Sequence, residues 1–205
     1  MHVLVTRSFI LYIIPAMLIT ISGLPGSGKT TVARLLSKWS GVPLIYAGDL
    51  FRKEAEERGL TLEQFNELAE SDHRIDQKLD ERMATYARQG GYVLEGRLAA
   101  FIALQEGADA FKVWLTASDA VRAQRVSQRE GKDAATVRRL NDARQRSDAK
   151  RYREIYGFDL NDTTPYDLIL NSDHQGPEAL ADEILACAAK RFGATVVRTR
   201  PDESD

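Results

Sequence analysis

The segment Gly23-Leu24-Pro25-Gly26-Ser27-Gly28-Lys29-Thr30, entered from the apolar run Met17 to Ser22, constrains this chain more than any other feature. It matches G-x-x-x-x-G-K-[ST], a pattern that works only between a buried strand and the start of a helix. Its glycines let backbone N–H groups turn inward around a phosphate, at the positive end of the helix that opens near Lys29. On that geometry Lys29 bridges the β and γ phosphates of a nucleoside triphosphate, and the Thr30 hydroxyl takes one Mg²⁺ position. The triphosphate-side set is therefore Gly23, Leu24, Pro25, Gly26, Ser27, Gly28, Lys29, Thr30 and Thr31.

A strand feeding a helix in this way belongs to an α/β sheet, and the rest of the chain keeps the alternation. Short apolar runs bounded by Gly, Asp or Asn predict strands at Met17 to Ser22, Pro43 to Ala47, Tyr92 to Glu95, Phe111 to Leu115 and Asp167 to Leu170. Helical spacing fills the gaps: Lys29 to Ser40, Leu50 to Arg58, Leu62 to Ala69, Asp72 to Gln89, Leu98 to Leu104, Ser118 to Arg129, a stretch within Asp133 to Tyr156, and Pro177 to Arg191. Ser71 and Ser118 are expected as N-caps, and Pro177 in a first helical turn. The expectation is a five-stranded parallel sheet with helices on both faces and two inserts, one after the second strand and one after the fourth.

The 205 residues suit one domain, expected over residues 17–192. Phe9 to Ile21 is almost continuously apolar, but it is too short to span a bilayer and Pro15 interrupts it. Residues 1–16 therefore read as an extension ahead of Met17, and 193–205 as a polar tail. No membrane association is expected. The lone Cys187 excludes an internal disulfide and a cysteine-rich zinc site, fits a reducing cytoplasmic setting, and reads as a packing residue.

Net charge is −2, yet Arg122 to Arg153 holds nine Arg and two Lys against four acids, a net +7 within a chain otherwise at −9. Arginine presents a rigid donor fork suited to phosphate. Nucleic acid is not expected as a partner, since no RNA-binding motif accompanies the charge. A guanine-reading Asn-Lys-x-Asp is also absent, which argues against a GTPase.

Two short motifs fall at strand ends that should face the phosphate loop, where open α/β sheets hold ligands. Ala47-Gly48-Asp49-Leu50-Phe51-Arg52 follows the second predicted strand and Leu94-Glu95-Gly96-Arg97 ends the third. Arg52 and Arg97 suit a second anionic group, and Glu95 can hold Mg²⁺ through its water shell. A hydroxyl acceptor would need a base, for which Asp49 is placed. A phosphate acceptor needs none, because its second pKa is about 6, and Asp49 would then orient Arg or bound water.

In order and spacing, the phosphate loop, these two motifs and the arginine-rich segment resemble the nucleoside monophosphate kinases. Gly59 to Asn66, Asp76 to Asp80, Leu94 to Leu98 and Lys150 to Gly157 resemble, more narrowly, the short archaeal-type cytidylate kinases. The similarity runs from about Met17 to Ile184. It implies a three-layer P-loop kinase fold with an acceptor-binding insert near 48–89 and an arginine-rich lid near 125–156. It implies ATP as phosphoryl donor with Mg²⁺ and CMP or dCMP as acceptor; a monomer is expected because nothing in the sequence forces a dimer. Arg144 and Arg151 are expected at the transferring phosphoryl, Arg129 on the ATP side, and Asp49, Arg52 and Arg97 at the acceptor. Arg138, Arg139, Arg146 and Arg153 are expected to be solvated. AMP or a hydroxyl compound as acceptor, or an RNA-associated ATPase, are the alternatives.

Overall fold

A computed structural model describes residues 17–131 and 133–193; the expected N-terminal extension and the polar tail beyond Gly193 lie outside the described residues. The strands are β1 (Leu18–Gly23), β2 (Leu44–Tyr46), β3 (Val93–Glu95), β4 (Ala110–Thr116) and β5 (Leu168–Asn171). The helices are α1 (Lys29–Ser40), α2 (Ala47–Glu57), α3 (Leu62–Ser71), α4 (Arg74–Gln89), α5 (Ala99–Gln105), α6 (Asp119–Glu130), α7 (Ala134–Tyr156) and α8 (Pro177–Phe192). All five strands are parallel, in the order β2-β3-β1-β4-β5. β1 is central, which is why its residues can be apolar on both faces.

Period-two alternation along β1 divides the core into two layers. Ile19 and Ile21 pack against Val32 and Leu36 of α1 and Leu180 and Ile184 of α8. Leu18 points the other way, into a layer made by Met83 of α4, Phe101 and Ile102 of α5 and Leu160. Cys187 packs at the edge of the first layer, the role its apolar setting predicts. The insert between β2 and β3 has a small core of its own, with Ala55, Phe65, Ala69, Ile75 and Leu79 buried together.

Most boundaries fall where the sequence puts them, and two differ. α2 leaves β2 without a connecting loop, so Gly48 and Asp49 lie in its first turn, where a carboxylate is favoured by the helix dipole. Ser71 does not cap α4. It is the last residue of α3 and its hydroxyl donates to Leu68 O at 2.9 Å. The N-cap of α4 is His73, with no side-chain cap bond, and the first helical N–H, that of Arg74, is taken by Asp72 Oδ1 at 3.1 Å. Ser118 caps α6 and Pro177 opens α8 as expected. Among the described residues no helix is long and apolar enough to cross a membrane.

Candidate active site

The end of β1 turns into the phosphate loop through backbone that only glycine adopts easily. Gly26 and Gly28 have φ of +82° and +87°. A Cβ on Gly26 would lie 2.5 Å from the Arg122 carbonyl oxygen, so α6 is packed directly against the loop. α6 also holds it by hydrogen bonds. Arg122 Nη1 donates to Pro25 O and Arg125 Nη1 to Gly26 O, each at 3.3 Å. Arg125 further donates to Ser172 Oγ at 2.8 Å, and Ser172 Oγ donates to Ser27 O at 2.9 Å. Thus the residue just past β5 braces the loop from below, and Arg125, expected at the start of the lid, is bonded to the loop and to Ser172.

β3 delivers Glu95 beside this loop, opposite Ile21 in the strand register. Its carboxylate is fully buried, and Thr30 Oγ1 donates to Oε2 at 3.1 Å. Oε1 has no hydrogen-bond partner, and Lys29 Nζ stands 3.9 Å from it. Burial lifts Glu95 above the usual carboxylate range, against the pull of Lys29 and Thr30. A buried, under-coordinated carboxylate oxygen next to a hydroxyl is a donor set that fits a hard divalent cation.

A cleft of about 460 Å³ runs from the phosphate loop across Glu95 and Arg97 to the insert and α7. Positive charge is in excess along it. Burial pushes Lys29 down to about 8, with Glu95 opposing and Arg97, Arg144 and Arg129 adding to the fall. Burial and Arg144 push Arg97 down to about 9. A guanidinium stays protonated regardless, so the fall reflects a charge held away from water beside like charges.

The far end is built from side chains. Arg151 is 2% exposed and makes four contacts: Asp76 Oδ2 accepts from its Nε at 2.7 Å, Asp148 Oδ1 at 2.9 Å, Ser147 Oγ at 2.6 Å and Asn66 Oδ1 at 3.3 Å. Asp148 also pairs with Arg97. Arg52 lies over the Tyr46 ring at 4.9 Å and pairs with Asp49.

A loop made for phosphates, a buried carboxylate beside it and a second cationic end in one cleft set the context for the comparisons. The model of the cytidylate kinase-like family matches residues 18–174. This chain belongs to the cytidylate kinase-like family. The cytidylate kinase of Methanopyrus kandleri is 48% identical over 164 residues, covering 77% of this chain and 85% of that protein. That of Halobacterium salinarum is 48% identical over 170 residues, covering 82% and 88%. A gluconokinase from Sinorhizobium meliloti has the same fold at 16% identity, with a TM-score of 0.56 over 87% of this chain and 94% of that one. The fold is the three-layer P-loop kinase fold.

In this member of the cytidylate kinase-like family, Lys29, Thr30, Thr31, Arg52, Glu95, Arg97, Arg129, Arg144 and Arg151 all line the cleft. Asp49 does not; it is exposed and holds Arg52 from outside. Arg144 is exposed and Arg129 pairs with Glu130. Arg138, Arg139, Arg146 and Arg153 are exposed, and the first three line a shallow groove on the outer side of α7. Sequence reasoning missed Tyr46, Asp148 and Ser172. An acid three residues before Arg151 in a basic run was the available signal for Asp148; Tyr46 and Ser172 had none.

Proposed function

We propose that this chain transfers the γ-phosphoryl of ATP to cytidine monophosphate, and to its deoxy counterpart, giving the diphosphate and ADP. The observation that carries the proposal is one cleft lined at one end by the phosphate loop with Lys29, Thr30 and Glu95 and farther along by Arg52, Arg97 and Arg144. Such a cleft suits two phosphate-bearing ligands meeting end to end. The names and the identity of the relatives supply the base.

An acceptor phosphate oxygen forms the new bond to the γ-phosphorus while the bond to the β–γ bridging oxygen breaks. The acceptor phosphate is already ionised near neutrality, so no protein base has to remove a proton. The protein's work is positioning and charge stabilisation. Lys29 and the loop N–H groups hold the β and γ phosphates, Arg97 and Arg52 hold the acceptor phosphate, and Arg129 and Arg144 close on the transferring group. Thr30 and Glu95 are the residues that would hold Mg²⁺, and the ion would supply positive charge to offset that of the triphosphate. A hydroxyl acceptor is less well served, because Asp49 is turned out of the cleft and committed to Arg52.

The test presents ATP and Mg²⁺ with one acceptor at a time and separates the products. CDP formed from CMP, with ADP in equal amount, is the expected outcome. ATP loss without any diphosphate formed from an acceptor would overturn the proposal.

A further inference from the structure

The acceptor end of the cleft holds an ionisable group that phosphate transfer leaves unused. Asp80 lies one turn beyond Asp76 on α4, on the same helical face, and lines the cleft with Leu79, Phe51 and Leu62. Its Oδ2 accepts the Tyr156 hydroxyl at 2.7 Å. This is the hydrogen bond that Asp80 makes among the described residues, so Oδ1 is the oxygen left for a ligand.

Its polar neighbours are all committed. Asp76 is 4% exposed and gives Oδ2 to Arg151. Asn66 is engaged at both ends, by Arg151 Nη1 at 3.3 Å and Ser147 Oγ at 3.4 Å. Tyr152 stands within the field of Asp76 and Asp80 and also within that of Arg97 and Arg151. It lines the same cleft, with the Arg151 guanidinium 5.9 Å from its ring centre, and Phe51, Leu62 and Leu79 supply apolar side chains to flank a planar ring.

Resting on the cytidylate kinase function proposed above, we propose that Asp80 reads the 4-position of the acceptor base, Oδ1 accepting an exocyclic amino N–H and opposing a carbonyl. Cytosine offers an amino donor at that position, and a carboxylate is its fitting partner. Uracil offers an oxygen there, which sets acceptor against acceptor. Tyr156 fixes the carboxylate by donating to its other oxygen, so the group cannot turn aside to relieve that clash. Burial lifts Asp80 to about 7, with Tyr156 and Arg151 pulling it down and Asp76 adding to the rise. An incoming amino donor favours the ionised acceptor; an incoming carbonyl does not.

A site built to hydrogen-bond one group rejects the analogue lacking it far more strongly than a hydrophobic pocket rejects a missing methylene. The experiment measures kcat/KM at pH 8, where Asp80 is ionised, of wild type and Asp80→Asn for CMP, UMP and the pyrimidin-2-one ribonucleotide, which is CMP without its 4-amino group. Wild type is expected to use the desamino nucleotide at least 30-fold less well than CMP. In Asp80→Asn the amide can turn its NH₂ toward uracil, so the CMP-to-UMP preference should fall at least 30-fold and the desamino penalty should shrink below 3-fold. The wild-type comparison needs no variant and so survives a variant that fails to fold. Wild type using CMP and the desamino nucleotide within 3-fold of each other, or an active Asp80→Asn enzyme with its CMP-to-UMP preference intact, overturns the assignment. Wild type phosphorylating no nucleoside monophosphate at all overturns the kinase function itself.

Discussion

The two ends of the cleft are built in opposite ways. At the triphosphate end, one contiguous loop presents backbone groups, and its neighbours Arg122, Arg125 and Ser172 donate to the carbonyls of Pro25, Gly26 and Ser27, which fixes the loop's conformation from outside. At the acceptor end nothing is contiguous: Arg52 comes from α2, Asn66 from α3, Asp76 and Asp80 from α4, Arg97 from the end of β3, and Arg144, Asp148 and Arg151 from α7. A backbone cradle can be written into eight consecutive residues. A side-chain cradle exists only once four or five elements have packed. Arginine serves in both ways: Arg122 and Arg125 of α6 bond to the loop, whereas Arg129 of α6 and Arg144 of α7 line the cleft.

The sharpest break of this comparison is Lys29→Ala. It removes the cation of the backbone cradle without touching the core, and turnover should fall at least 10³-fold for every acceptor, about 4 kcal/mol of transition-state stabilisation. Steady-state kinetics with CMP and dCMP checks it, and near-normal turnover would show the loop to be structural.

Arg151→Ala tests the other end. It strips the partner from Asp76 and leaves Asp148 half-paired, both carboxylates being buried. Removing one member of a buried ion pair costs roughly 3–5 kcal/mol, so a Tm lowered by many degrees is expected before any kinetic effect is read. A variant with an unchanged melting curve would mean that the buried cluster does not hold α7 to the insert.

Arg97→Ala and Arg52→Ala separate the two ends kinetically. The buried Arg97 should raise the KM for CMP by roughly 10 to 100-fold, in line with loss of a charge-assisted contact of about 1.5–3 kcal/mol. The half-exposed Arg52 should have the smaller effect. ATP affinity, measured alone by titration calorimetry, should hold steady in both. Loss of ATP binding with an unchanged acceptor KM would reverse the assignment of ends.

The smallest effect sharpens the contrast in stability. Asp80 is lifted from the ordinary 3.8 to about 7, so the folded state keeps a proton that the unfolded chain releases over that range. The stability of the wild-type protein should therefore decline through this group as pH rises from about 4 to about 7, and stay lower above it. Asp80→Asn abolishes the decline. Chemical denaturation of the two proteins should agree near pH 4 and favour the variant at pH 8. Equal pH dependence in the pair would show that Asp80 is not held in its unfavourable state.

The same contrast explains what the sequence made legible. The phosphate loop, the sheet and Glu95 follow from local pattern, because apolar period, glycine spacing and strand ends are short-range properties. The resemblance supplied Arg129, Arg144 and Arg151 as residues of interest, but their circumstances differ in ways no spacing reveals. Arg144 is exposed, whereas Arg151 is sealed among Asp76, Asp148, Asn66 and Ser147. A count of charge from Arg122 to Arg153 treats Asp148 as one acid to subtract; its place between Arg97 and Arg151 is a matter of tertiary packing. Asp49, expected to orient an arginine or bound water, does pair with Arg52, but from outside the cleft. Its position at a strand end suggested the cleft, yet α2 begins so early that the first helical turn carries it outward.

The brace from Ser172 to Ser27 joins residues 145 positions apart in the chain. Contacts of such long range close last, after shorter loops have formed. On the ribosome the phosphate loop is among the first parts of the domain to emerge, but its underside stays unfinished until β5 has been synthesised and docked. The nucleotide site is thus a late product of folding made from an early piece of sequence, and binding of ATP by a nascent chain would report that the whole sheet has closed.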